Sequence, residues 1–130
     1  MTSKPRALDR ISKYANIRPL SLSTWQITYY NERVQRDVWA MPAGIVADYL
    51  RLTEAMALYG ADLRMPHSRA MGGGLFELRP KGPEGIGRVF YCTQVGKTIV
   101  VLHSFVKKTQ ETPDAEMRVA RKRLKDVQHG

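Results

Sequence analysis

The hydrophobic pattern near the start of the chain predicts a strand followed by a helix. Residues 25–30 (WQITYY) are rich in aromatic and β-branched side chains, which is typical of a strand. Asn31 can cap a helix that begins directly afterwards, and Glu32 places a negative charge in its first turn, where the helix dipole favours it. We expect this helix to run to Met41 and to stop before Pro42.

A longer helix is predicted over residues 43–59, and Gly60 is expected to end it. Its apolar side chains recur at helical spacing in two neighbouring stripes. These are Ile45, Tyr49, Leu52 and Met56 in the first stripe, and Val46, Leu50 and Ala57 in the second. Because only a short break separates the two predicted helices, we expect them to form a helical hairpin.

The second half of the chain changes from a helical to a strand-like pattern. Three apolar runs predict strands, at residues 75–79, 86–93 and 98–106. The separators at 80–85 and 95–97 have the length and composition of hairpin turns. Residues 99–105 are apolar on both alternating faces, so the third of these strands is expected to be central in its sheet.

Two further segments flank the predicted strands. Residues 61–74 contain Pro66 and three consecutive glycines, which predict an irregular and flexible connection. Thr112, Pro113 and Asp114 predict the start of a last helix, with Thr112 as its cap and Pro113 at the first helical position. One side of that helix is apolar, with Met117, Ala120, Leu124 and Val127.

The predicted order of elements is therefore β-α-α-β-β-β-α. Strands that follow strands favour an antiparallel or mixed sheet with helices packed on it, which is an α+β fold. Residues 23–130 are expected to form one domain. Residues 1–22 are expected to be a basic tail, for which a short helix and a loose segment are both compatible with the pattern.

Composition limits the classes of protein to which the chain can belong. No run approaches the ~20 apolar residues needed to span a bilayer, and the N-terminus lacks the apolar core of a secretory signal. A single cysteine, Cys92, excludes an intrachain disulfide and fits a reducing compartment. We therefore expect a cytoplasmic protein without membrane contact.

The positive charge is concentrated in two parts of the chain. The net charge is +9. Residues 1–22 contribute +4 and residues 67–108 contribute +5, whereas 23–66 and 109–130 carry only −1 and +1. A localised excess of positive charge is expected in a protein that contacts phosphates. An acidic protein partner would be attracted by the same positive charge.

The sequence lacks the common signatures of cofactor and metal sites. It has no zinc-spaced Cys/His cluster, no phosphate loop and no nucleophile elbow. Its three histidines, His67, His103 and His129, are scattered. Acids are sparse in the basic segment, with only Glu77 and Glu84, which disfavours two-metal nucleases and carboxylate-pair hydrolases. No cofactor or metal is expected.

Four cations of the basic segment are predicted to meet at one rim of the sheet. Arg79 would end one strand and Arg88 begin the next across a hairpin, while Lys107 and Lys108 would leave the third. Such a rim suits a phosphodiester backbone and, still better, the extra charge of a pentacoordinate phosphorane. RNA supplies its own nucleophile, the 2′-hydroxyl. The alternative is a basic sheet edge that discourages strand pairing.

Other residues of this segment have two interpretations each. His103 lies in an apolar strand, where a hydrogen-bonded core histidine and an acid–base group are both compatible with the pattern. Tyr91 suits the core, although its hydroxyl can reach a rim, where it is a candidate for a contact with RNA. Lys81 and Lys97 are further candidates for contacts with RNA, and Cys92 is expected to be buried.

Several motifs together resemble the phage-related branch of the RelE/HigB toxin superfamily. They are LFELR at 75–79, GRVFY at 87–91, LHSFVKKTQ at 102–110, Thr112-Pro113, and MPHSRAMG at 65–72. The resemblance covers residues 24–127. It implies a RelE-like fold with a curved sheet, and an mRNA interferase that cuts mRNA in the ribosomal A site, leaving a 2′,3′-cyclic phosphate and a 5′-hydroxyl.

The resemblance also implies roles for individual residues and for partners. Arg79 and Arg88 match the family's phosphate-binding cations, and Lys107 and Lys108 match the basic residues after its last core strand. His103 falls at a typical motif position. The implied partner is an antitoxin, often with a helix-turn-helix domain, and operator DNA would be bound only through that complex. A non-catalytic module that binds nucleic acid or the antitoxin is the alternative.

Overall fold

A computed structural model of the protein describes residues 24–107 and 112–130. Within these residues it contains three helices and a six-stranded sheet. In chain order the elements are β1 (Gln26–Tyr29), α1 (Glu32–Trp39), α2 (Ala43–Tyr59), β2 (Ser68–Gly72), β3 (Leu75–Leu78), β4 (Lys81–Gly82), β5 (Gly85–Gln94), β6 (Thr98–Lys107) and α3 (Asp114–His129).

The sheet is mixed and has the strand order β1-β6-β5-β3-β2, with the short β4 paired to β5. Strand β1 runs parallel to β6, and the other pairings are antiparallel. As its pattern predicted, β6 is a central strand, since it pairs with β1 on one side and β5 on the other. The structure thus confirms an α+β fold with a mixed sheet.

The helices cover the two faces of the sheet unequally. Helices α1 and α2 pack on one face, here called the α1–α2 face, where Val89, Tyr91, Ile99 and Val101 are buried. Helix α3 packs on the opposite face, the α3 face, through the predicted apolar stripe. The sheet residues buried there are Leu75, Phe90, Cys92, Val100 and Leu102. Buried Cys92 is therefore part of the core, as expected.

The local signals in the first half of the chain are largely confirmed. The Asn31 side chain caps α1 by accepting a hydrogen bond of 2.9 Å from the Val34 amide. Helix α1 ends at Trp39, slightly before the predicted Met41, because Ala40 already forms its C-cap. Helix α2 has the predicted bounds, and Gly60 ends it with a φ of 113° that favours glycine.

Two predictions about connections are wrong. The segment 61–74 is not wholly irregular, because it contains β2, which pairs with β3 as an edge strand. Gly72 ends β2, Gly73 and Gly74 form the turn between these strands, and all three have a φ between 68° and 92°. At the start of α3, Pro113 is the capping residue and no side chain caps the helix, so Thr112 does not have the expected role.

The turn between β4 and β5 is attached to the start of α2. Glu84 accepts a hydrogen bond of 3.1 Å from the Gly44 amide, at a helix end that lacks a side-chain cap of its own. Asp48 in turn accepts a bond of 2.7 Å from the Lys81 amide. These contacts hold β4, and with it Lys81, against the first turns of α2.

Some expectations fall outside the described part of the chain. The predicted basic tail, residues 1–22, lies there, so the division of the chain at that point stays a prediction. Among the helices of residues 24–107 and 112–130, none has the length and apolar character to cross a membrane.

Tyr91 provides a test of the packing under α2. Its hydroxyl donates a hydrogen bond to the Ala61 carbonyl, and burial raises its pKa to about 12. We predict that Tyr91→Phe lowers the free energy of unfolding by about 1–3 kcal/mol, because it leaves this buried carbonyl without its donor. Urea denaturation measures the loss. The control Tyr59→Phe, on an exposed ring, is expected to change nothing; equal stabilities of the two variants would contradict the assignment.

Candidate functional site

The candidate site is a group of cations around one buried carboxylate on the α3 face. Glu77 is fully buried, and its carboxylate lies 3.3 Å from Arg69, 3.6 Å from Arg79 and 3.3 Å from Arg88. Lys107 lies near enough for the charges of all four residues to affect its pKa. We call these five residues the Glu77 cluster.

The register of the strands brings the cluster together. Arg69 on β2 is paired with Glu77 on β3, and Glu77 is paired with Phe90 on β5. Arg88, two residues before Phe90 on β5, therefore projects to the same side of the sheet. Arg79 continues from β3, where its amide donates a 2.8 Å hydrogen bond to the His67 carbonyl. With Lys107 at the end of β6, the cluster thus depends on four neighbouring strands.

Arg88 is the buried member among the cations. Only 4% of its side chain is exposed, against 22% for Arg79 and 43% for Arg69. Its Nε and the Oε2 of Glu77 are not aligned for a hydrogen bond, and neither atom has another such partner among the described residues. Burial lowers the pKa of Arg88, Glu77 opposes that shift, and Arg79 and Arg69 add to it. The Arg88–Glu77 contact is therefore an ion pair between these atoms without a hydrogen bond.

Lys107 adds a fourth positive charge. Its pKa lies below the usual value for lysine, first because of desolvation and then because of the neighbouring Arg88, with Glu77 acting in the opposite direction. Four cations and one carboxylate give the cluster a net formal charge of +3. The backbone register also places Lys81 opposite Ile86, which is itself opposite Lys107, so Lys81 extends the basic surface across three strands.

His103 lies on the same face of the sheet, beside the start of α3. A β-bulge, at which Phe90 pairs with His103 but Tyr91 with Val101, turns both Leu102 and His103 toward α3. The Nε2 atom of His103 is 2.5 Å from Oε1 of Glu116, in the first turn of that helix. Both side chains are partly exposed. This imidazole–carboxylate pair can hold or move a proton.

The structure brings together some of the predicted site residues and separates others. Arg79, Arg88 and Lys107 meet as expected, with Lys81 at their margin and His103 on the same face. Tyr91 lies on the α1–α2 face, where its hydroxyl is bound within the core. Lys97 lies in the β5–β6 turn, at the opposite end of these strands from Lys107. Lys108 lies outside the described residues.

Sequence reasoning missed three members of this surface. Glu77 was considered only as one of few acids, although its place between the apolar residues of LFEL, in a predicted strand, was a signal of burial. Arg69 was missed because the edge strand β2 was not predicted. Glu116 was missed because the distance between α3 and β6 is a tertiary feature that no local pattern contains.

The described residues do not bring three His, Cys, Asp or Glu side chains together in an arrangement that would hold a metal ion. Burial raises the pKa of the Cys92 thiol. Its side chain lies in the core beneath α3. The ionisable groups of the candidate site are therefore the Glu77 cluster and the His103–Glu116 pair.

Comparison with known proteins gives one family. A family model described as Phage derived protein Gp49-like (DUF891) matches residues 36–125, which is well over half of the chain. The match includes every member of the Glu77 cluster, His103 and Glu116. No curated protein matches the chain.

The central position of Glu77 can be tested by stability. We predict that Glu77→Gln lowers the free energy of unfolding by about 3 kcal/mol or more, because it leaves Arg88 buried without a counter-charge. Glu54→Gln is the matched control, since it makes the same change at an exposed position within α2. Urea denaturation of both variants checks the prediction, which an unchanged stability of Glu77→Gln would contradict.

Proposed function

Because the chain belongs to the family of phage-derived Gp49-like proteins, which is associated with RelE and other toxin-like proteins, we propose that it is an mRNA interferase. In this proposal it is the toxin of a bacterial toxin–antitoxin pair with a RelE-like fold, and it acts in the cytoplasm on mRNA carried by the ribosome. The observation that carries the proposal is the net charge of +3 in the Glu77 cluster.

The cluster suits a phosphodiester more than a neutral substrate. Its surplus charge is not balanced by Glu77, and Arg79 and Arg69 retain enough exposure for a ligand to reach them. Arg88 supplies a fixed charge from its buried position, where the low dielectric strengthens the electric field of its guanidinium group. Charges already held in place stabilise a transition state without having to reorganise.

The proposed reaction uses the nucleophile that RNA carries. The 2′-oxygen attacks the adjacent phosphorus, its proton passes to a base, and the bond to the 5′-oxygen breaks as that oxygen receives a proton. The products are a 2′,3′-cyclic phosphate and a 5′-hydroxyl. The phosphorane formed on the way carries additional negative charge, which Arg79, Arg88 and Lys107 would stabilise.

His103 is the proposed base of this reaction. When its Nε2–H donates to Glu116, the lone pair of Nδ1 is available to accept the 2′-hydroxyl proton. Glu116 then acts as a positioning residue, because it fixes the tautomer and the ring orientation. Lys107 is the proposed acid, since its lowered pKa makes its ammonium a better proton donor to the leaving 5′-oxygen.

The same surface would be covered by the antitoxin. A surplus of positive charge favours an acidic segment of a partner protein as well as RNA, and one ligand would exclude the other. We therefore propose a cognate antitoxin, with a helix-turn-helix domain as the expected DNA-binding part, through which the pair binds operator DNA. A non-catalytic RNA-binding protein would use the same cluster, and the experiment that follows distinguishes the two.

A purified translation reaction with a defined mRNA tests the proposal. New 5′ ends mapped by primer extension are expected inside codons only while ribosomes translate. We predict that Arg79→Ala lowers the cleavage rate by roughly 10²–10³-fold, the usual effect of removing one preorganised group that stabilises the transition state.

The matched control is Arg36→Ala, which removes one positive charge from the exposed side of α1, across the sheet from the cluster. It is expected to cut at the wild-type rate. Intact mRNA in an active translation reaction with wild-type protein would contradict the proposed activity. Full activity of Arg79→Ala combined with Lys107→Ala would contradict the proposed site.

A further inference from the structure

Phe105 is an aromatic residue in the middle of the charged surface. It lies on β6 directly opposite Arg88 on β5. His103 precedes it and Lys107 follows it by two residues on the same strand, so all three project to the α3 face. Phe105 is therefore bordered on three sides by groups that the proposed reaction uses.

The Phe105 ring packs beside a buried aromatic ring and remains partly exposed. Its centroid is 6.0 Å from that of the fully buried Phe90, with 31° between the ring planes. The His103 ring lies 6.2 Å away at the same angle. Phe90 and the apolar cluster under α3 thus hold the ring in place, while part of its surface stays accessible.

We propose that Phe105 is a stacking platform for one unpaired nucleobase of the bound RNA. This inference rests on the proposed function and names the form of RNA that the site accepts. Sites for single strands combine a cationic path for the backbone with aromatic rings on which bases stack. Here the ring lies on β6, between Arg88 on the neighbouring β5 and Lys107 at the end of β6.

The dimensions agree with one nucleotide. Side chains directly opposite on paired strands are about 5 Å apart, and those two residues apart on one strand about 7 Å. A phosphate held by Arg79 and Lys107 would therefore lie within one nucleotide of a base on Phe105. A base that stacks on a side chain must leave its own helix, so duplex RNA would not use this platform.

Phe105 also contributes to the apolar cluster under α3, and the test has to separate that role from stacking. Phe105→Leu keeps an apolar side chain against Phe90 but removes the aromatic face. Phe105→Tyr keeps the ring. A purely structural role would make the two variants differ in stability but would leave their affinities for RNA equal.

Fluorescence anisotropy with a labelled, unstructured oligoribonucleotide measures the affinity, with 2′-O-methyl groups to prevent cleavage. The full chain at low salt is expected to bind it. We predict that Phe105→Leu weakens binding by roughly tenfold, in the range found for removal of one stacked base, and that Phe105→Tyr binds like the wild type. Duplex RNA of the same length is expected to bind Phe105→Leu and Phe105→Tyr with equal affinity.

The salt dependence separates the platform from the phosphate contacts. Phe105→Leu is expected to leave the slope of log affinity against log salt unchanged, whereas Arg79→Ala reduces its magnitude by about 0.7. Wild-type affinity in Phe105→Leu, or no binding by the wild-type protein at low salt, would overturn the platform. Binding that depends on Phe105 without cleavage in the translation reaction would support the platform and overturn the proposed function.

Discussion

A carboxylate with no exposure to solvent, Glu77, constrains the whole α3 side of the sheet. A buried charge is costly unless it is paired, and here three arginines, on β2, directly after β3 and on β5, lie within 3.6 Å of it. The reverse also holds, because Arg88 is itself nearly inaccessible and has Glu77 as its counter-charge. The strands must therefore keep their register for either charge to be tolerated, and that register leaves a net positive charge on this face of the sheet.

The helices cover the two faces of the sheet unequally, and the charged residues lie on the less covered face. On the α1–α2 face two helices bury a continuous apolar layer, including the Tyr91 ring. On the α3 face a single helix covers only the apolar part, and its first turn brings Glu116 to His103. The bulge in β6 allows two consecutive residues, Leu102 and His103, to face the same helix. Leu102 therefore belongs to the core under α3, and the next residue, His103, reaches Glu116 on that helix.

Local patterns predicted the elements better than their contacts. The central place of β6 followed from its two apolar faces, and the meeting of Arg79 with Arg88 followed from a short hairpin. The strand period also contained an unused signal about Tyr91, since an odd separation of three residues from Arg88 places the two on opposite faces. Glu116 could not be predicted in this way, because its contact with His103 depends on how α3 lies across the sheet.

In the proposed reaction the 2′-hydroxyl of the substrate attacks the adjacent phosphorus, and fixed cations of the protein stabilise the transition state. This reaction is tested most directly by replacing the nucleotide on the 5′ side of the mapped cut with its 2′-deoxy form in an otherwise identical mRNA. We predict that cleavage at this position disappears although ribosomes still translate the message and cuts at other positions persist. Cleavage of the deoxy-substituted position at the original rate would contradict the account, because the attacking oxygen would then have another source.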